Sequence, residues 1–259
     1  MARVLFDSGT DPSTINNAKQ HAIFYWYKAS PDEVAVHTDG STTEKLDSYG
    51  VVCTDGTPYQ NGTGCIQADT ACKGTATMSV VTDDLYKCAD SGKMCISFWI
   101  MYEDLISEFT TYPFCLVSRK TGTASIDTEN SISNYDIIAA LELSTDSIRF
   151  RTAHYESGSN ESNYMNEGKW NHILIQMEAS KDNDDCMMNL FVNGTLVSTL
   201  SAIYGTSTDD SFFKDYAMLT STNRLMYQVA NIQGQSTRFQ IADFVVFDDL
   251  NIEYLMYHF

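Results

Sequence analysis

The stretch GKWNHILIQM, residues 168–177, alternates between two sets of side chains from its tryptophan onward. In an extended chain, Asn171 points to the same side as Ile173, and His172 points to the opposite side with Trp170. His172 is therefore either a general base or metal ligand, or a packed side chain at the head of a strand. Because the alternation continues unbroken, we predict a sheet strand in which the Trp-Asn-His trio is structural.

The segment NLFVNGTLV, residues 189–197, contains the strongest local signal in the chain. Asn193 and Gly194 tolerate the two positive φ angles of a type I′ turn, whose twist matches that of the strands on either side. We therefore predict a β-hairpin over residues 186–200.

Further alternating runs, divided by Gly, Asn, Asp, Ser and Thr, extend this pattern. They lie at 93–102, 114–120, 136–143, 147–153 and 238–247. Helix is predicted only for short pieces at 13–21 and 250–258. The sequence therefore predicts an all-β protein, an antiparallel β-sandwich covering residues 46–259. Residues 1–45 are more polar and are predicted to form an N-terminal arm or added strands at 22–28 and 33–38.

Composition excludes several classes of partner. The chain has 259 residues, 43% of them apolar, so it can bury a sizeable core. Its 16 Lys and Arg against 34 Asp and Glu give a formal charge of −18. Nucleic acid and anionic membranes both require clustered basic side chains, so neither is expected as a partner. We also expect neither a signal peptide nor a membrane-spanning segment.

Cysteine usage indicates thiols rather than disulfides. The seven cysteines are an odd number, and Cys65 and Cys72 lack the CxxC spacing of zinc or redox motifs. A chain of this length does not need disulfides for stability. We expect most of the cysteines to be reduced and to lie in or near the core.

Five fragments in order resemble the laminin G-like and concanavalin A-like jelly-roll superfamily. They are ISFWI (96–100), LVSRK (116–120), GKWNHILIQM (168–177), NLFVNGTLV (189–197) and IADFVVFDDL (241–250). The resemblance implies a jelly roll over about residues 46–259. It says little about activity, because the fold is shared by lectins, adhesion modules, glycosidases and structural proteins.

The sequence offers no catalytic set, and we expect no enzymatic activity. Glycoside hydrolysis requires two carboxylates facing each other across the sugar. Glu103 and Asp104 are adjacent, so in a strand they would point to opposite faces, and Glu142 has no carboxylate two residues later. No serine nucleophile elbow, zinc-binding HExxH or glycine-rich cofactor turn is present.

Calcium is the one metal that the resemblance brings forward, and no other cofactor is expected. Laminin G-like and lectin jelly rolls often hold one Ca²⁺ on loops at the edge of the sandwich. Asp182, Asp184 and Asp185 would supply the hard oxygen ligands that this ion prefers. The other interpretation is an ordinary solvated turn, which Asp and Asn also favour.

Glycan contact is expected in the long polar stretch at 152–168. Sugars are bound by aromatic ring faces beside hydrogen-bonding side chains. The candidates are Tyr155, Tyr164, Asn160 and Asn163. A solvated loop without a ligand is the alternative.

Residues 24–27 form a second aromatic cluster, within the N-terminal arm. Phe24 and Trp26 alternate with Tyr25 and Tyr27, so a strand here would have aromatic side chains on both faces. Such a strand either completes the sandwich or docks onto another protein, and docking is the slightly favoured interpretation.

These expectations combine into one hypothesis about function. The chain is predicted to be a non-catalytic virion protein of a bacteriophage: a capsid decoration, head fibre or tail-associated protein. It would be assembled in the host cytoplasm, attach to other virion proteins through residues 1–45, and contact host glycans, alone or as a homo-oligomer. The alternatives are a free carbohydrate-binding adhesin and, third, a polysaccharide-degrading glycosidase.

Overall fold

The computed structural model describes seventeen β-strands, Gly92, residues 164–170 and the turn at 193–194. Side chains are described at 92–102, 141, 148, 164–178, 187–199, 240–242 and 247. In chain order the strands are β1 (Ala22–Trp26), β2 (Val34–Val36), β3 (Thr42–Lys45), β4 (Asp47–Tyr49), β5 (Val51–Thr54), β6 (Cys65–Ala68), β7 (Ala76–Val81), β8 (Lys93–Glu103), β9 (Thr111–Arg119), β10 (Tyr135–Leu143), β11 (Ile148–Thr152), β12 (Glu156–Ser159), β13 (Asn171–Ala179), β14 (Asp185–Val192), β15 (Thr195–Ile203), β16 (Asn223–Ala230) and β17 (Arg238–Phe247).

The strand pairings are antiparallel and form the two layers of a β-sandwich, which are joined where Ala230 of β16 pairs with Arg238 of β17. One layer runs β15-β14-β13-β8-β17, and β1 and β6 both pair with the far edge of β17. The other layer runs β12-β11-β10-β9-β16-β7-β4. β8 lies between β13 and β17, which are distant in sequence, so the chain crosses between layers as it does in a jelly roll. The predicted all-β sandwich is confirmed.

The core is built on one face of β8 and β13. The register places Ile173 opposite Phe98 and Ile175 opposite Ile96, and all four side chains are fully buried. Residues of the neighbouring strands extend this inner face; they are Met188, Leu190, Val192 and Ile241. Leu141 and Ile148, from the second layer, are also buried. The predicted strand at 93–102 is confirmed as β8.

The strands beyond the predicted set are mostly short. The alternation of apolar residues does not predict β3 to β7, β12 or β16. The prediction of a continuous loop over 152–168 is wrong at residues 156–159, because β12 pairs there with β11. The sequence ESGS of β12 has no apolar alternation, so this strand carries no signal of the kind that predicts the others.

The N-terminal segment contributes strands that pair within the chain. β1 pairs with β17, from Ala22 opposite Phe247 to Trp26 opposite Phe244, and its Tyr25 is also opposite Val36 of β2. The backbone therefore adopts the alternative in which this segment completes the sandwich. Neither the boundary at residue 45 nor the docking of aromatic side chains onto another protein is tested by these pairings.

Two further predictions concern helices. The pieces at 13–21 and 250–258 lie outside the described residues. Within the part of the chain that the structure describes, no helix has the length and apolarity needed to cross a membrane.

Candidate functional site

The turn between β14 and β15 has the predicted backbone. The φ angles are 50° at Asn193 and 77° at Gly194, as a type I′ turn requires. The Asn193 backbone N–H donates to the His172 carbonyl at 2.9 Å. In return, the His172 N–H donates to Asn193 Oδ1 at 2.9 Å. The asparagine side chain therefore replaces a backbone carbonyl and extends the β13–β14 ladder by one residue.

Asn171 uses the full hydrogen-bonding capacity of its side chain. It is completely buried. Its Nδ2 donates to the carbonyls of Asn166 at 2.9 Å and Lys169 at 2.8 Å. Its Oδ1 accepts from the Asn166 N–H at 2.8 Å and from Asn193 Nδ2 at 3.0 Å. Two donors and two lone pairs are all that a carboxamide has, so this buried amide is fully satisfied.

Residues 164–170, which we call the rim loop, lie between this amide and the strand ends. Asn193 Nδ2 also donates to the Tyr164 carbonyl at 3.2 Å, and the Gly168 N–H donates to the Tyr102 carbonyl at 2.9 Å. Gly168 has a φ of 67°, a backbone conformation that residues other than glycine rarely adopt. The loop is therefore held from two strands and one turn. We call Asn166, Asn171 and Asn193 the asparagine network.

The rim loop has a polar surface between aromatic ends. Residues 166–169, of sequence NEGK, are exposed, while Tyr164 and Trp170 are half-buried. Met165 is 8% exposed and anchors the loop in the core. Ring faces beside amide, carboxylate and ammonium groups are the combination that sugar recognition uses. The rim loop therefore combines exposed polar side chains with two half-buried aromatic residues.

His172 is part of the scaffold beneath that surface. It is 5% exposed, its Nε2 lies 2.7 Å from Ser97 Oγ, and its ring meets Trp99 edge-on at 5.1 Å. A Ser-His hydrogen bond is also found in hydrolases. Ser97, however, is 1% exposed, so a substrate cannot reach its hydroxyl in this conformation. The predicted structural positions of Asn171 and His172 in a strand are confirmed, whereas Trp170, predicted to belong to the same strand, precedes β13 and is half-buried.

Tyr102 lies at the end of β8, under the rim loop. Burial raises the pKa of its phenol above the ordinary value of 10.0, and the nearby Glu167 carboxylate raises it further. Both causes act in the same direction, because each disfavours the negative phenolate. The hydroxyl is therefore neutral at physiological pH.

A second polar row crosses the outer face of the same layer. Asn189 Nδ2 donates to Gln176 Oε1 at 3.3 Å, and Thr199 Oγ1 donates to Asn189 Oδ1 at 2.9 Å. The row runs from a buried amide on β13 to an exposed hydroxyl on β15. Leu196, also on β15, is 50% exposed. Among the side chains that the structure describes, it is the one large apolar side chain that is exposed.

The glycan candidates are only partly visible. Tyr164 belongs to the rim loop, and its carbonyl is bonded to Asn193. Tyr155, Asn160 and Asn163 lie outside the described residues. The structure therefore does not show whether the four come together.

Most of the candidate metal-binding and docking side chains also lie outside the part of the chain that the structure describes. Asp182 and Asp184 lie outside it, and Asp185 begins β14 opposite Ile203, with its side chain not described. Within the side chains that the structure describes, no cluster of His, Cys, Asp and Glu has metal-binding geometry. Residues 24–26 belong to β1, and Tyr27 is not described. Calcium binding and docking remain predictions.

Two of the network residues are not identified from the sequence as part of a site. Asn193 is predicted only as a turn former, and nothing in the sequence predicts that its carboxamide holds the rim loop. Asn166 contributes backbone atoms to the network rather than its side chain, so its residue type carries no signal. Of the three network residues, only Asn171 is predicted to have a structural role, because it lies beside a tryptophan at the head of a strand.

The fold, but not the sequence, is similar to known proteins. No family model and no curated protein matches the sequence. A structure from a study of botulinum neurotoxin type C, whose cell entry depends on two ganglioside molecules, matches with a TM-score of 0.56. Its identity is 14%, over 95% of this chain and 53% of that one. The sialidase of Trypanosoma rangeli in complex with sialic acid gives 0.53, with 10% identity over 92% and 32%.

A bacteriophage protein is also similar. The carbohydrate esterase of the Shiga toxin-encoding bacteriophage phi24B gives a TM-score of 0.50 and 9% identity, over 87% of this chain and 97% of that one. This chain spans about half the length of the neurotoxin chain and about a third of the sialidase. At these identities the likeness shows the fold alone: a β-sandwich of the kind found in carbohydrate-binding and glycan-acting proteins.

Proposed function

We propose that this chain is a non-catalytic glycan-binding module, carried on a virion as a capsid decoration, head fibre or tail-associated protein. The rim loop carries the proposal. It presents polar side chains at 166–169 between half-buried Tyr164 and Trp170, and the asparagine network fixes its backbone. A loop that is ordered before binding loses less conformational entropy when it takes a ligand.

The charge of the chain points to neutral sugars. A formal charge of −18 repels sulfated or otherwise polyanionic glycans. On the rim loop, Glu167 and Lys169 carry opposite charges, so the surface has no local excess of positive charge to offset that repulsion. Neutral sugars, bound by ring stacking and hydrogen bonds, are the class that this surface fits.

Three features support a binding role over catalysis. Ser97 and His172 are buried beneath the loop. The side-chain amide of Asn171 is fully used in holding backbone. In the sequence, Glu103 and Asp104 are adjacent, so along an extended strand they would point to opposite faces.

Two observations support the virion setting. The sandwich is similar to a bacteriophage carbohydrate esterase, and the odd number of cysteines is expected of a protein folded in a cytoplasm, where thiols stay reduced. Assembly inside the host, followed by exposure outside it, reconciles a surface-type fold with those features. A free adhesin is the alternative.

A glycan array tests the binding proposal. The full chain is screened against neutral, sialylated and sulfated glycans, with calcium and with a chelator. We expect neutral glycans to bind, and Tyr164→Ala to weaken binding about tenfold, equivalent to ~1.4 kcal/mol of lost stacking. Thr199→Ala is the matched control, because this exposed residue lies roughly 16 Å along β15 from the turn. Equal binding by both variants would exclude the rim loop.

Sedimentation tests the virion proposal separately. Particles from the native source are purified, and the copy number of the chain is measured by mass spectrometry. We expect a fixed number per particle. Recovery of the chain only as free protein would overturn the virion setting and leave the adhesin.

A further inference from the structure

We propose that Asn193 is a latent deamidation site: the folded turn protects its carboxamide, and conversion to aspartate releases the rim loop. Asn193 is followed by Gly194, whose nitrogen is unhindered by a side chain. The residue is exposed, so water reaches it. This inference goes beyond the proposed function and depends on it only for the effect on glycan binding.

The reaction needs no enzyme. The backbone nitrogen of Gly194 attacks Cγ of Asn193, a C–N bond closes a succinimide ring, and Nδ2 leaves as ammonia. Water then adds to one of the two ring carbonyls and opens the ring to aspartate or isoaspartate. The net change is one water consumed and one ammonia released.

The folded turn opposes this attack. The carboxamide of Asn193 makes three hydrogen bonds. Its Oδ1 accepts from the His172 N–H, and its Nδ2 donates to the backbone carbonyl of Tyr164 and to the side-chain Oδ1 of Asn171. Cyclisation must rotate the carboxamide toward Gly194 and break these bonds. The reaction therefore proceeds mainly when the turn opens, and its rate follows the population of that open state.

Deamidation reverses the hydrogen-bonding character of the group. Nδ2 donates to two oxygens, one on Tyr164 and one on Asn171, whereas a carboxylate can only accept. Asn171 cannot adapt by turning its amide over, because its Nδ2 is held by the carbonyls of Asn166 and Lys169. Two attractive contacts become repulsive ones, and the rim loop loses its attachment to the turn.

The chain contains an internal control for the claim that the folded turn protects Asn193 from deamidation. Residues 61–63 have the same sequence, Asn-Gly-Thr, as residues 193–195. Peptide mass spectrometry follows both sites at mildly alkaline pH, in the native chain and in denaturant. We expect similar rates at both sites in denaturant. In the native chain, Asn193 should react at least about tenfold more slowly than it does in denaturant. The reason is that each ~1.4 kcal/mol needed to open the turn lowers the population of the open state tenfold. An unchanged rate at Asn193 on folding would overturn the protection.

Hydrogen exchange tests the second claim, that conversion of Asn193 to aspartate releases the rim loop. Asn193→Asp is compared with Asn166→Asp, which adds the same charge to an exposed side chain of the same loop. We expect the Asn166 and Gly168 amides, both bonded in the native chain, to lose protection in the first variant only. Unchanged β8 peptides show that the sheet is intact. Equal protection in both variants would overturn the release.

If Asn193→Asp does not fold, the aged wild-type chain answers the same question. Its deamidated fraction is separated by ion exchange and compared with the unmodified fraction by hydrogen exchange. Because exchange is read on the protein alone, failure of glycan binding would not be mistaken for failure of this inference.

Discussion

The two faces of β13 are both buried, but they are built differently. The inner face carries Ile173, Ile175 and Met177, which are at most 1% exposed. The outer face carries His172, Leu174 and Gln176, which are 3–7% exposed. An antiparallel sheet with one face in water would expose the second set. The difference teaches that this layer is covered on both sides at its centre. The outer face carries two hydrogen-bonded polar side chains, His172 and Gln176, whereas the inner face has a polar residue only at the start of the strand, Asn171.

The largest expected effect tests whether the outer face is a second core. Ile175→Ala and Leu174→Ala should each lower the free energy of unfolding by about 2–5 kcal/mol, because each removes a fully packed side chain. Denaturant titration of both variants measures this. A loss below ~0.5 kcal/mol for Leu174→Ala is expected of a solvated position. It would show that the outer face of β13 is not a second core.

The next effect concerns the single polar residue on the inner face. Asn171→Ala removes four hydrogen bonds and leaves an N–H and two carbonyls of the rim loop without their partner. We expect a loss of about 2 kcal/mol, since water reaches part of the exposed loop. Asn166→Ala, which removes only an exposed side chain, is the control and should be within ~0.5 kcal/mol of wild type. Equal stabilities would show that the network contributes nothing.

A smaller effect separates packing from hydrogen bonding on the outer face. Ser97→Ala keeps the backbone of β8 and removes the hydroxyl that lies 2.7 Å from His172 Nε2. Thermal and denaturant unfolding should show a loss of about 1 kcal/mol, the net worth of one buried hydrogen bond. A variant as stable as the wild type would mean that the ring finds another partner at no cost.

The smallest effect at neutral pH is that of Tyr102→Phe, which becomes visible only in alkali. The folded-state pKa of Tyr102 is raised by burial and by Glu167. Its contribution to stability is therefore complete below the unfolded pKa of about 10 and is lost as pH rises through the folded value. The free energy of unfolding of wild type should fall more steeply with pH above 10 than that of the variant. Parallel curves would contradict the raised pKa.

The sequence predicts the central strands because the alternation of apolar residues along each strand matches the side of the sheet that is buried. Residues 238–247 are predicted with the bounds that β17 has, and the Asn-Gly turn is predicted with its geometry. β16 has three consecutive apolar residues, from Leu225 to Tyr227, instead of an alternation with polar residues, so the same signal does not predict it.

The site is less predictable, for a physical reason. Hydrogen bonds such as that between Asn193 Nδ2 and the Tyr164 carbonyl join residues far apart in sequence, and backbone acceptors have no residue type to recognise. Nor does local alternation show that both faces of β13 are covered, because the covering comes from elsewhere in the fold. Tyr164 is predicted as a ligand contact from its loop, while the role of its carbonyl in fixing that loop depends on the tertiary structure.

The position of β8 between β13 and β17 has a consequence for synthesis on the ribosome. β13, β14 and β15 are consecutive antiparallel neighbours and can pair as soon as they emerge, and β8 can join β13 at that stage. The other edge of β8 must then wait for β17, which is made much later. During that interval an apolar strand edge is open to other nascent chains. We therefore expect chains truncated before residue 238 to aggregate, and translation pauses after β15 to lower the yield of folded protein.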